Sequence, residues 1–378
     1  MAREKYSTSA YQLIKSGAVA HRSDLVRELG VSASTASNIV RDLLAQGLIS
    51  EINSQQSTGG RPAKILESSA VPDVVAVAEL GTRHIRYAVT NSVEPTMPAR
   101  EIHLPQLTEP EETIDRLVKL WGQLRDELYP GASICAYGLS VSAPVNSATQ
   151  RIVMPARMLG WHNTDLAELI FRRTGRPAWI ENDARAAALG EVRRDANCPQ
   201  TFIYVKAGSG IGGALVVNGE VFAGAGGMAG DLGHAQVASG STIVCGCGRR
   251  GCLEKEASGS AIREKALAAG IVLNSMQDII DASLSQMPEI VPMIRRSGEL
   301  VGRALTPLVN FMNPEAVIVG GALSEIGAFM SSLRASLFAT ASSSSTTTLS
   351  IEPSFYNNNS ALIGAARAAH RLLVDAQA

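Results

Sequence analysis

Two rhythms of apolar and polar residues divide the chain near residue 70. Before it, apolar residues recur at helical spacing over 9–15, 23–29 and 33–46, which predicts three short helices. Between the second and third lies Leu29-Gly30-Val31-Ser32. Glycine there makes a left-handed backbone easy and Ser32 is placed to cap the next helix, so the pair reads as helix-turn-helix. On the third helix Ile39, Val40, Leu43 and Leu44 form an inward face, and Ser34, Thr35, Ser37, Asn38 and Arg41 face the other way. A strand over 48–51 and a stretch over 57–66 carrying Gly59-Gly60-Arg61-Pro62 then read as a wing. Residues 68–73, polar and holding Pro72, form the expected linker.

Beyond it, buried-type strands alternate with helices. Strands are predicted at 74–78, 85–90, 136–141, 178–181, 201–206, 213–217 and 316–320, and helices at 114–128, 164–173 and 322–338. Such an order describes an α/β protein of two lobes with a cleft between them. The expected division is 1–70 as a winged helix-turn-helix and 71–378 as the larger domain, with lobes at 71–185 plus the C-terminal helix and at 186–355. The Ser/Thr-rich stretch 341–348 reads as a mobile surface loop.

Composition narrows the function classes. With 378 residues, 46% hydrophobic content and a formal net charge of −1, the chain is long enough for two or three units with proper cores, and it is not a broadly basic nucleic-acid binder. A local basic face remains open. The start, Met1-Ala-Arg-Glu-Lys-Tyr, has no apolar signal core and no apolar run reaches membrane-spanning length, so a cytoplasmic protein with no membrane partner is expected.

The candidate chemistry comes in two places. Ser32, Ser34, Thr35, Ser37, Asn38 and Arg41 are small or basic groups that can approach phosphates and base edges in a major groove, with Arg61 and Lys64 of the wing as further DNA contacts. The bland alternative is a small three-helix unit with an ordinary polar face. Further along, His234 precedes Cys245-x-Cys247-x4-Cys252. Three thiolates and an imidazole make a closed tetrahedral set for one structural zinc per chain. The alternative is a disulfide and a core histidine, although Cys245 and Cys247 are too close along the chain for an easy bridge. Cys135 and Cys198 read as incidental thiols.

Gly230-Asp231-Leu232-Gly233-His234, followed by Cys245-Gly-Cys247-Gly248-Arg-Arg-Gly251-Cys252-Leu253-Glu254, resembles the signature of the ROK family of repressors and sugar kinases. The family form is Gly-Glu-x-Gly-His and then Cys-x-Cys-Gly-x-x-Gly-Cys-x-Glu, and Asp231 is the departure. The resemblance runs from about Val74 to the C-terminus and implies the two-lobed actin-like ATPase fold. The N-terminal segment resembles the winged helix-turn-helix of the family's regulators, which its sugar kinases generally lack.

By the same resemblance, Asn182 and Asp183 in Glu181-Asn182-Asp183-Ala184-Arg185-Ala186 bond sugar hydroxyls, with Asp231, His234 and Glu254 completing the polar set. Helix capping is the alternative for Asn182 and Asp183. His234 would hold zinc through one ring nitrogen and a ligand hydroxyl through the other. Gly208-Ser209-Gly210-Ile211-Gly212-Gly213 resembles the loop that contacts ATP phosphates, and Gly320-Gly321-Ala322 the adenosine loop. Gly138-Leu-Ser140-Val-Ser142-Ala143-Pro144-Val145 resembles a strand-turn near the sugar. The family's kinases open with Asp-x-Gly-Gly-Thr, but this chain has Glu79-Leu80-Gly81-Thr82, which crowds a nucleotide site. Asp183, the base of the kinases, is then vestigial and no catalytic residue is expected. The expected function is a sugar-responsive DNA-binding regulator, a repressor of carbohydrate genes. Its partners would be operator DNA, a sugar or sugar-phosphate effector and further copies of itself in a homodimer or homotetramer. The rival is an ATP-dependent sugar kinase carrying a DNA-binding domain.

Overall fold

Helices α1 (Ala2–Lys15), α2 (Arg22–Leu29) and α3 (Ala33–Ala45) are followed by an antiparallel pair of strands, β1 (Ile49–Asn53) and β2 (Lys64–Ser68). The computed structural model describes residues 2–15, 17–45, 48–53, 64–68, 73–91, 97–104, 109–153, 158, 160–193, 195 and 197–375. These fall into two compact units, Met1–Val74 with Gln123–Ile134, and Val75–Gly122 with Cys135–Ala378. In the first, α2 ends at Gly30 in the left-handed region (φ 62°, ψ 30°) and the Thr35 amide donates to the Ser32 hydroxyl at 3.2 Å, so the turn is built as its residues predict. Ala10, Ile14, Leu25, Ile39, Val40, Leu43, Ile49 and Leu66 form the core beneath it. Helix α1 starts earlier than apolar spacing predicts because its first turn, Ala2-Arg3-Glu4-Lys5, has good helix propensity but no apolar period.

The chain continues with β3 (Val74–Leu80), β4 (His84–Thr90), β5 (Arg100–His103), α4 (Pro110–Leu128), β6 (Ile134–Val141), a short pair β7 (Val145–Asn146) and β8 (Arg151–Ile152), α5 (Leu166–Thr174), β9 (Ala178–Asn182) and α6 (Asp183–Glu191). Then come β10 (Phe202–Ala207), β11 (Ile211–Val217), β12 (Glu220–Val221), α7 (Leu253–Ala257), α8 (Gly259–Ala268), α9 (Met276–Leu284) and α10 (Ile290–Met312). The chain finishes with β13 (Ala316–Gly320), α11 (Gly327–Thr340), α12 (Ser343–Thr346), β14 (Ser350–Pro353) and α13 (Ser360–Asp375). Two mixed sheets result, ordered β5-β4-β3-β6-β9 and β12-β11-β10-β13-β14. The hairpin partners are antiparallel, whereas β6 with β9 and β10 with β13 and β14 run parallel. Strands β3 and β13 are buried along their whole length, which is why β13 and residues 74–78 of β3 read as unbroken apolar runs, Glu79 being the one charged residue of β3.

Helix α13 packs on the first sheet through Leu362, Ile363 and Ala366 against Val75, Val77 and Ala136. It also crosses α6 closely enough to need two glycines. A Cβ at Gly190 would stand 2.0 Å from the Ser360 carbonyl oxygen, and one at Gly364 only 1.8 Å from that of Ala186.

Two expectations change. The helix predicted over 322–338 is interrupted: a 3-10 turn, Ala322–Glu325, ends at Ile326 in an extended conformation (φ −94°, ψ 110°) before α11 begins at Gly327. The stretch expected as a surface loop at 341–348 holds α12, whose flank is tied down by the Ser342 amide donating to the Asn310 side chain at 2.8 Å. Among the described residues, no helix is long and apolar enough to cross a membrane.

Candidate functional site

A charged side chain on an otherwise buried strand must find partners, and Lys206 on β10 finds two. Its ammonium donates to Glu79 Oε1 at 2.6 Å and to Asp183 Oδ2 at 2.8 Å. Glu79 comes from β3 and Asp183 from the first turn of α6, so one side chain of the second sheet joins carboxylates carried by the first sheet and the helix that follows it. The Ser142 hydroxyl donates to the same Asp183 oxygen at 2.7 Å, and Arg86 donates to Glu79 Oε2 at 3.3 Å. Burial by itself would raise the Glu79 carboxyl, but Lys206 and then Arg86 outweigh it and hold it at about 2. Burial would likewise lower the Lys206 ammonium, and its two carboxylates reverse this and raise it. In the first glycine loop the His84 imidazole lies against Gly81, where an added Cβ would meet its Cε1 at 2.3 Å.

Asn182 caps α6. Its Oδ1 accepts from the amides of Ala184 and Arg185 at 3.0 and 3.3 Å, and its Nδ2 donates to the Ala143 carbonyl at 3.1 Å. One N–H of the amide remains for other use. Behind it the Arg185 guanidinium is buried, donating to Glu181 Oε1 from Nε at 2.9 Å and to the backbone carbonyls of Val145 and Ala229. The Ser147 hydroxyl donates to Glu181 Oε2 at 2.8 Å. This pair holds the Ala143-Pro144-Val145 turn and the residue before Gly230 against α6.

The sulfur and imidazole ligand atoms of His234, Cys245, Cys247 and Cys252 lie within 4.8 Å of one another. Nδ1 of His234 is 3.5 Å from the Cys245 sulfur, and the Cys247 and Cys252 sulfurs are 3.6 Å apart, well beyond a disulfide bond. Burial and its thiol neighbours push the Cys252 thiol up to about 12, whereas the backbone hydrogen bond from Arg249 holds Cys247 below the ordinary thiol value. The donor set fits a metal ion. The other nitrogen of His234, Nε2, lies 3.8 Å from exposed Asp231 Oδ1, and Glu254 Oε2 accepts from the Ile211 amide at 3.4 Å. The glycine loop between β10 and β11 is braced by the start of α8, where the Gly259 and Ser260 amides donate to the Gly208 and Ser209 carbonyls at 2.8 and 3.2 Å.

In the first unit Ser32, Ser34 and Arg41 are exposed, and Thr35, Ser37 and Asn38 are half-buried on the same helix. Arg41 donates to Asn38 Oδ1 at 2.8 Å. Lys64 is exposed but pairs with Glu51 at 2.7 Å, beside Arg22, so its charge is matched within the unit. Arg61 lies outside the described residues.

Residues 75–372 match the model of the ROK family. The chain belongs to the ROK family. It is 29% identical over 306 residues to the xylose repressor of Bacillus spizizenii, spanning 80% of this chain and 78% of that one. A ROK family transcriptional regulator, described as a homologue of the E. coli MLC protein, superposes with a TM-score of 0.70 at 24% identity over 99% of this chain and 98% of that one. A ROK family glucokinase from Streptomyces griseus, in complex with glucose and AMPPNP, superposes with a TM-score of 0.68 at 23% identity, over 79% of this chain and 99% of that one. The two mixed sheets are thus the α/β fold of the ROK sugar kinases.

Several contacts of this ROK unit escape a motif reading: the pairing of Lys206, the Ser142 and Arg86 bonds, and the His84 ring on Gly81. One signal was present, a lone lysine in the apolar run Phe202-Ile203-Tyr204-Val205-Lys206-Ala207. The depressed Glu79 carboxyl has a sign for stability. Its unfolded value is 4.5 and its folded value about 2, so the contribution is complete above about 4.5 and fades as pH falls toward 2. Its size is about 3 kcal/mol. Glu79→Gln should lower stability at pH 7 by about that amount and flatten the acid limb of a urea-midpoint-against-pH curve. Coincident acid limbs for wild type and variant would contradict the assignment.

Proposed function

We propose that this protein is a sugar-responsive transcriptional repressor. Residues 1–70 act as a winged helix-turn-helix on operator DNA, and residues 71–378 act as a sugar-binding domain with one structural zinc. The observation that carries the reading is the capped turn from α2 through Gly30 into α3, with a hairpin after it, on the same chain as a ROK unit. The likeness to a xylose repressor over most of both chains supports it. Exposed Ser32, Ser34 and Arg41 and half-buried Thr35, Ser37 and Asn38 would enter the major groove, with Arg61 and Lys64 on the wing.

In the cleft, Asp183 Oδ1, the spare Asn182 N–H, Asp231, Glu254 and His234 Nε2 offer the acceptors and donors that read hydroxyl stereochemistry. Zinc on His234 Nδ1, Cys245, Cys247 and Cys252 leaves no open position and fixes the imidazole so that Nε2 faces the ligand. A kinase reading has one observation in its favour, the intact Gly208 to Gly213 loop. Against it stand Glu79-Leu80-Gly81-Thr82 in the first loop and an Asp183 already bonded to Lys206. Working as a homodimer or homotetramer in the cytoplasm, the protein would place two heads on a palindromic site.

Fluorescence anisotropy on DNA from upstream of its own gene, at fixed salt, tests this with a panel of free and phosphorylated sugars that begins with xylose. One sugar should change operator affinity by about 5–150-fold. Arg41→Ala should weaken binding, with a shallower salt slope if the contact is to phosphate. Binding that does not discriminate the upstream sequence from random DNA would sink the reading. Elemental analysis should find about one zinc per chain, lost together with sugar response in Cys247→Ser; a zinc-free wild type that still responds would remove the metal from the account.

A further inference from the structure

We infer that Lys206 is a resident cation, filling with its ammonium the point that Glu79 and Asp183 would otherwise offer to a divalent metal ion. The cleft is thereby a metal-independent binding site that does not transfer phosphoryl groups. The inference rests on the reading of the cleft as a ligand-binding site and deepens it.

Two carboxylate oxygens from separate elements, β3 and α6, converge on one nitrogen at 2.6 and 2.8 Å. Converging carboxylates are the oxygen donors that hard divalent cations take. Left without a cation, they would repel each other and one would hold a proton. The ammonium removes both outcomes. With Arg86 on the second Glu79 oxygen, and 3.9 Å from the more exposed Glu101, the two buried carboxylates each have a cation against them in a largely buried cluster. A dication entering here would have to displace an ammonium whose bonds to Glu79 and Asp183 compensate its burial.

The same bonds change what Asp183 can do. Its Oδ2 accepts from both Ser142 and Lys206, so that oxygen is already engaged within the protein. Oδ1 remains an acceptor for one ligand hydroxyl. A second, independent feature closes the neighbouring position: the His84 ring occupies the space over Gly81, where a phosphate would need close approach to backbone. Lys206 and His84 together convert a cleft of kinase type into one that recognises hydroxyls and stops there.

The test is a Mn2+ titration of the full-length, zinc-loaded chain, followed by the electron paramagnetic resonance signal of free Mn2+. Wild type and Lys206→Arg should take up no ion that depends on Asp183 at concentrations up to about 1 mM. Lys206→Met should gain about one Mn2+ per chain with Kd below about 1 mM, and adding Asp183→Asn should abolish the gain. A folded Lys206→Met chain with no added Mn2+ overturns the inference. So does Mn2+ bound by wild type and lost in Asp183→Asn, a comparison that needs no Lys206 variant to fold. Neither DNA nor sugar enters the titration, so its failure leaves the operator measurement untouched.

Discussion

Compensation of buried charge on α6 is the constraint around which the ROK unit is arranged. This short helix buries Asp183, Arg185 and Glu191, and each is matched from a different direction. Asp183 meets Lys206 of the second sheet and Ser142 of the first. Arg185 meets Glu181 and the carbonyls of two loops. Glu191 accepts from the hydroxyls of Ser354 and Ser360 at 2.5 and 2.7 Å and from the Phe355 amide at 3.0 Å. Removing one partner from such a pair leaves a charge in low dielectric, at about 3–5 kcal/mol, so the contacts also tie the two sheets and α13 to α6. Arg367 of α13 reinforces this by donating to the Leu189 and Gly190 carbonyls at the end of α6.

The thiol cluster lies at the C-terminal side of the turn Leu232–His234. Its geometry places Nδ1 of His234 beside the Cys245 sulfur and Nε2 toward Asp231, so in the proposed reading a metal and a hydroxyl would not compete for one nitrogen. Asp231 is exposed where Asp183 is buried and paired, which gives the two carboxylates different characters. One is a fixed acceptor; in the proposed reading the other would adjust to the ligand or bridge through water.

How legible this was depends on the range of the interaction. The Gly30 turn and the Ser32 cap are local, and local residue types specify them. Strand β13 matches its predicted span because a fully buried strand must be apolar at every position. The thiols sit within eight residues, so their gathering needs no knowledge of the fold. Lys206 meets Glu79 across 127 positions and Asp183 across 23, and no periodicity carries such a pairing. The break at Ile326 and helix α12 were hidden for another reason: composition registers polarity, whereas both depend on where backbone groups find partners. Asn182 shows a single residue type serving two readings, since a cap with one N–H to spare satisfies either.

The central claim is that ligand in the cleft and DNA on the helix-turn-helix unit are thermodynamically coupled. Linkage makes this testable without a structure: the factor by which sugar changes operator affinity must equal the factor by which operator changes sugar affinity. Isothermal titration of the effector sugar into the protein, alone and saturated with operator, measures the second factor directly. The account predicts equality with the factor found by anisotropy. A sugar affinity that is the same with and without operator would contradict it.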